Sequence, residues 1–108
     1  NAAQACTHLM AHGVAMQRFG QNLASLNEPS KRLEADLKEG RVAHGDDPVL
    51  RWMAGNAAVY TDASGNIRPV KPDHASGKKI DGIVAAVMAR GLAMVAPESQ
   101  AIILPEVW

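Results

Sequence analysis

The chain is poor in cysteine, in aromatic residues and in excess charge of either sign, and it lacks a long apolar run. Cys6 is its one cysteine. No disulfide can close within the chain, which points to a reducing, cytosolic setting. Aromatic residues make up 4% and are confined to Phe19, Trp52, Tyr60 and Trp108. A core must therefore come from Leu, Val, Ile, Met and Ala, and the hydrophobic fraction of 47% is enough to build one. Lys plus Arg and Asp plus Glu each number 11. That balance excludes a domain that coats nucleic acid by bulk charge, although a local basic strip remains open. No apolar stretch reaches the roughly 18–20 residues that span a bilayer. The most apolar segment, Ile80 to Val95, is interrupted by Asp81 and Arg90. No signal-peptide pattern is present.

The length of 108 residues predicts one domain, 1–108. The chain opens on Asn1 rather than Met, and its first residues already carry a helical pattern. This leads to the expectation of a piece of a longer protein.

Ala2 to His12 is Ala-rich, with Cys6, Leu9 and Met10 at helical spacing and Gly13 as a stop. Val14 to Phe19 largely alternates apolar and polar residues and predicts a short strand. Asn27 and Glu28 before Pro29, Leu33 and Leu37 four apart, and a closing Gly40 predict a helix over Pro29 to Glu39. Asp47-Pro48 is a second helix start, an N-cap followed by proline at the first position, and Gly55-Asn56 ends that helix. Ala57 to Thr61 and Ile67 to Lys71 predict two strands around the turn cluster Asp62 to Asn66. Ile80 to Ala96 predicts the longest helix, with Ile80, Ile83, Val84, Val87, Met88, Gly91, Leu92 and Val95 on its buried face. Ala101 to Leu104 could form a final strand or a loosely tied end. No repeat, low-complexity tract or internal linker interrupts the chain. The expected fold class is mixed α/β, with few strands for its helices, as if part of a sheet were supplied by other sequence.

Several groups of residues invite a chemical reading. His44, Asp46 and Asp47 resemble a metal cluster in composition, but Asp47 is better explained as an N-cap. His8 and His12, four apart on a helix, have a spacing that can bind zinc, yet no third ligand is nearby in sequence. Cys6 reads as a small core residue. Lys71, Lys78 and Lys79, with Arg68, form a local basic strip that could neutralise DNA phosphates or simply be a solvated loop. Ser76-Gly77-Lys78-Lys79 lacks the leading Gly and the Ser/Thr after the Lys of a phosphate loop, so no ATP site is expected. Asp81 falls in the first turn of its helix, where the helix dipole alone favours an acid.

Three stretches in order carry a resemblance: Arg41 to Asn56 (RVAHGDDPVLRWMAGN), Gly65 to Lys71 (GNIRPVK) and Lys79 to Ala89 (KIDGIVAAVMA). Their sequence and spacing resemble the nuclease domain of tailed-phage terminase large subunits, especially the lambdoid and HK97-like lineage. The resemblance covers about residues 2 to 95. It implies an RNase H-like nuclease fold, of which this chain would be a partial version. It also implies an ATP-driven packaging domain elsewhere in the subunit, so that ATP would bind outside this chain. In that family, carboxylates hold Mg²⁺ or Mn²⁺ for cleavage of concatemeric viral DNA, and Asp81 matches the last of them. Two-metal phosphodiester cleavage needs several converging carboxylates, so a single Asp cannot hold both ions. Implied partners are double-stranded phage DNA, the portal protein and the small terminase subunit in the bacterial cytoplasm, with no membrane. The main rival is a non-catalytic, prophage-derived module that docks on the portal or small subunit. An incomplete sheet leaves edges that pair, which predicts a homodimer or strand exchange for the isolated chain.

Overall fold

A computed structural model describes residues 2–73 and 77–95. Its elements are α1 (Ala2–Ala11), α2 (Leu23–Lys38), α3 (Pro48–Asn56), β1 (Ala58–Thr61), β2 (Ile67–Val70) and α4 (Asp81–Val95). The predicted strand over Ala101 to Leu104 lies outside the described residues. The mixed α/β class expected from the sequence is what folds.

The local signals explain most element boundaries. The Asp47 carboxylate accepts the Val49 and Leu50 amides, both at 2.9 Å, and Pro48 supplies the first helical position of α3. The hairpin loop is organised by Asp62, whose Oδ1 accepts the amides of Ser64 at 3.0 Å and Asn66 at 2.8 Å. The Asn66 side chain donates to Oδ2 at 3.0 Å, and Gly65 takes the left-handed conformation that the turn requires. These bonds, that from the Asn66 side chain foremost, hold the Asp62 carboxyl below its ordinary value of 3.8.

Two predicted elements differ. Helix α2 begins at Leu23 rather than Pro29, which makes it longer than α4. Asn22, not Asn27, is its cap and accepts the Ser25 amide at 2.8 Å. Pro29 sits inside the helix, where it forgoes a backbone hydrogen bond. Tertiary packing offsets that loss. The Pro29 ring lies against Gly91 of α4, where an added Cβ would come within 2.9 Å of its Cγ and closer still to the Phe19 ring. The second difference is Val14 to Phe19, which forms no strand. A strand needs a neighbour's backbone groups, and the one sheet among the described residues pairs β1 with β2. Val14 and Met16 stay exposed, while Phe19 is half-buried on Gly91.

Helix α2 packs against α4 and β2, and α3 packs on α4. Leu26, Ile80 and Val87 are the buried apolar centre. Of the predicted buried face of α4, Ile80, Val87 and Gly91 are buried, and Ile83, Val84, Met88 and Leu92 are half-buried. Val95 is instead 78% exposed at the helix end. Helix α1 has no extended packing on the other elements, and its Leu9 and Met10 are exposed. Cys6 is half-buried rather than a core residue.

The hairpin is antiparallel, with Val59 opposite Pro69 and Tyr60 opposite Arg68. Pro69 has no N–H, so Val59 and Pro69 form a non-hydrogen-bonded pair. The outer edge of β2 thus lacks a donor at Pro69, and the Ile67 amide on that edge is taken by the Asn27 side chain at 2.9 Å. Among the described residues, the outer edge of β1 carries no such block. Its Val59 is 59% exposed, and the backbone groups of Val59 and Thr61 point away from β2.

Candidate functional site

Asp81 is the first residue of α4 and is exposed. Its carboxylate has no hydrogen bond or ion pair among the described residues. The backbone around it is held firmly. Ile80, just before it, is 6% exposed, and the Ile80 carbonyl accepts the Ile83 and Val84 amides at 2.9 and 3.1 Å, which closes the first turn. The Asn56 side chain donates to the Lys79 carbonyl at 2.9 Å. The Gly82 amide, one of the orphan donors of a helix N-terminus, points to the Met53 sulfur at 3.1 Å. A Cβ on Gly82 would lie 2.8 Å from that sulfur, so glycine lets α4 approach α3 at this point. A rigid backbone thus presents a free, solvent-facing carboxylate beside the end of α3.

The predicted basic residues are distributed around this point. Lys79 is two residues from Asp81 and anchored through its own carbonyl. Lys71 follows Val70, whose partner across the hairpin is Ala58, close in sequence to Asn56. Lys71 and Lys79 therefore flank the same α3–β1 junction. Lys78 is exposed on the approach to α4. Arg68 sits farther along β2, with its guanidinium over the ring of its cross-strand partner Tyr60, 5.6 Å from the centroid. Tyr60 and Arg68 share the sheet face opposite to that of Pro69, which packs toward α2.

His44, Asp46 and Asp47 have local duties. The Asp46 amide donates to His44 Nδ1 at 3.0 Å, Asp46 pairs with Arg51, and Asp47 caps α3. Asp46 takes a left-handed backbone conformation in this turn. These residues rim a cavity of about 250 Å³ whose apolar walls include Leu33, Leu37, Leu50 and Ile83. The His12 ring donates from Nδ1 to the His8 carbonyl at 2.9 Å. No three His, Cys, Asp or Glu side chains converge as a metal cage among the described residues. The residues described here do not by themselves make a two-metal centre. Asp81 offers one carboxylate.

Sequence reasoning placed Met53 and Asn56 in the first motif and Asn56 at the end of α3, but missed their contacts with the start of α4. Their spacing of three, which puts both on one face of a helix, was a usable signal. Also missed was a partly buried charge cluster. Asp36 is 9% exposed and is bound by Arg41 at 2.7 and 3.1 Å and by Arg90 at 2.6 Å.

The described residues thus outline a mixed α/β body with an exposed, unpaired carboxylate at the start of α4 and Lys79 and Lys78 just before it in the chain. The comparisons give that outline a family. Residues 2–96 match the family model described as "Terminase large subunit, endonuclease domain", and the chain belongs to that family. It is 43% identical over 75 residues to the terminase large subunit of Enterobacteria phage HK97, covering 69% of this chain and 14% of that protein. It is 41% identical over 75 residues to Protein YmfN of Escherichia coli (strain K12), covering 68% of this chain and 16% of that protein. The crystal structure of the HK97 bacteriophage large terminase superposes with a TM-score of 0.65 at 36% identity, covering 75% of this chain and 17% of that one. The chain thus spans about one-sixth of the length of these relatives.

Proposed function

We propose that this chain forms the C-terminal part of the RNase H-like nuclease domain of a terminase large subunit, and that Asp81 is the carboxylate it contributes to cleavage of concatemeric phage DNA. The observation that carries the proposal is the exposed, unpaired Asp81, held at both flanks by α3, inside the segment that matches the endonuclease family. The further carboxylates needed for Mg²⁺ or Mn²⁺ come from other parts of the subunit, as does the ATPase that drives packaging. Lys71, Lys78, Lys79 and Arg68 supply backbone contacts to double-stranded DNA. The assembly works in the host cytoplasm, at the portal and with the small subunit.

The test is Asp81→Ala in the large subunit that carries this sequence. DNA cleavage should disappear while ATP hydrolysis continues. Cleavage at the wild-type rate would remove Asp81 from the reaction.

A second reading is a non-catalytic module docked on the portal or small subunit. The exposed Val49 and Trp52 on α3 support it. It predicts no Mn²⁺-dependent cleavage from any form of the subunit. The open edge of β1 supports a further proposal, that the isolated chain dimerises by strand pairing. Sedimentation velocity should show a dimer. A single monomer boundary at high concentration would count against pairing.

A further inference from the structure

Asn56 is a buried polar residue that its own backbone does not require. It ends α3 without adopting a left-handed conformation, so no local turn demands Asn there. It is only 7% exposed, and a buried amide costs free energy unless it is bonded. Its bond is long-range, to the Lys79 carbonyl at 2.9 Å. Met53 lies one helical turn earlier on the same face of α3 and receives the Gly82 amide. The two contacts straddle Asp81, one on each side. Between them the Ile80 side chain is buried, which leaves this short segment little freedom to rotate.

We infer that Asn56 is a positioning residue for Asp81, with Met53 as its weaker partner, and that their shared face of α3 sets the direction of the Asp81 carboxylate. The inference rests on the proposed role of Asp81 in DNA cleavage. In this role Asn56 acts through the backbone of residues 79–82. Without its amide, the Lys79 carbonyl loses its partner and the start of α4 can turn. A displacement of about 1 Å at a reacting group can cost on the order of 100-fold in rate.

The test compares Asn56→Ala, Met53→Leu and Asp81→Ala in the intact large subunit, with plasmid DNA and Mn²⁺. The readouts are kcat and KM for cleavage, DNA affinity by anisotropy without added metal, and the melting temperature. Asn56→Ala should lower kcat by about 10- to 100-fold while KM and DNA affinity stay at wild-type values. Asn56→Gln keeps the amide donor and should restore part of the rate. Met53→Leu keeps the volume, loses the sulfur acceptor and should lower kcat by only a few fold. It carries the test if Asn56→Ala does not fold, and a wild-type kcat would then overturn the inference. A wild-type kcat in Asn56→Ala overturns it directly. So does a fall in kcat matched by equal losses of DNA affinity and melting temperature, which would mark a purely structural residue. If Asp81→Ala itself cuts normally, the function proposed above fails and this inference with it. If Asp81→Ala is inert while Asn56→Ala cuts normally, only the inference fails.

Discussion

Asp36 of α2 and Arg90 of α4 meet at 2.6 Å, with 12% and 29% of their side chains exposed, and this contact ties the two helices together through residues 54 apart in the chain. Arg41 completes the cluster from the turn after α2, where its amide also bonds the Asp36 carbonyl at 2.8 Å. Hydrogen bonds from Arg41, then from Arg90, hold the Asp36 carboxyl below its ordinary value of 3.8.

A depressed carboxylate pKa gives the pH dependence its sign. The folded state prefers ionised Asp36 more than the unfolded chain does. Its contribution to stability is full above the ordinary value of 3.8 and is lost as pH falls below that through the folded value. Asp36→Asn should lower the urea midpoint at neutral pH and flatten its fall on acidification. Asp62, depressed in the same direction, keeps part of that fall. An acid dependence identical to wild type would show that the α2–α4 cluster does not contribute.

Gly91→Ala tests the helix crossing. Alanine gains roughly 1 kcal/mol of helix propensity over glycine. The new methyl collides with Pro29 and Phe19, and overpacking costs about 1–3 kcal/mol. The Pro29 ring is fixed and cannot step aside. The net effect should be a loss on the order of 1 kcal/mol, or about 4–8 °C in melting temperature for a domain of this size. A rise in melting temperature would mean that the crossing is looser than described.

Ser30→Ala should act in the opposite direction. The Ser30 hydroxyl is buried in α2 without a hydrogen-bond partner among the described residues. Replacing an unsatisfied buried hydroxyl by a methyl inside a helix should stabilise by about 1 kcal/mol. Chemical denaturation of the two proteins measures this. Marked destabilisation would reveal a partner for the hydroxyl.

The basic residues can be separated from the carboxylate by salt. If Arg68 and Lys71 each neutralise a DNA phosphate, each alanine substitution should weaken binding and reduce the slope of log affinity against log salt by about 0.9. Tyr60→Phe keeps the ring under Arg68 and should bind normally, whereas Tyr60→Leu should resemble Arg68→Ala. Unchanged slopes in titrations of duplex DNA would exclude these residues from the interface.

Features whose causes lie close in sequence could be read in advance. Asp47 caps a helix because its carboxylate reaches amides two and three residues on, and Gly65 turns a hairpin because it can adopt the left-handed conformation. The apolar repeat that starts at Ile80 located α4 to within one residue at each end, and with it the place of Asp81 at a helix start. Val14 to Phe19 had the right alternation for a strand but no neighbour to pair with, and alternation alone supplies no hydrogen bonds. At Pro29 the chain-local rule for proline indicated a beginning. The helix runs through it because the Pro29 ring fits against Gly91, 62 residues away in the sequence.

The sequence by itself determined the helix caps, the hairpin turn, the amphipathic face of α4 and the three ordered motifs of the terminase endonuclease family. All of these depend on interactions across a few residues or on the order of residues along the chain. Tertiary structure alone decided that Asn27 serves β2 rather than α2, that Asp36 collects two arginines, and that Asn56 and Met53 grip the chain on both sides of Asp81. Those contacts join groups 23 to 54 residues apart, apart from the short reach of Arg41 to Asp36, five residues away. A buried polar side chain takes whichever partner the packing brings to it, and no pattern along the chain names that partner.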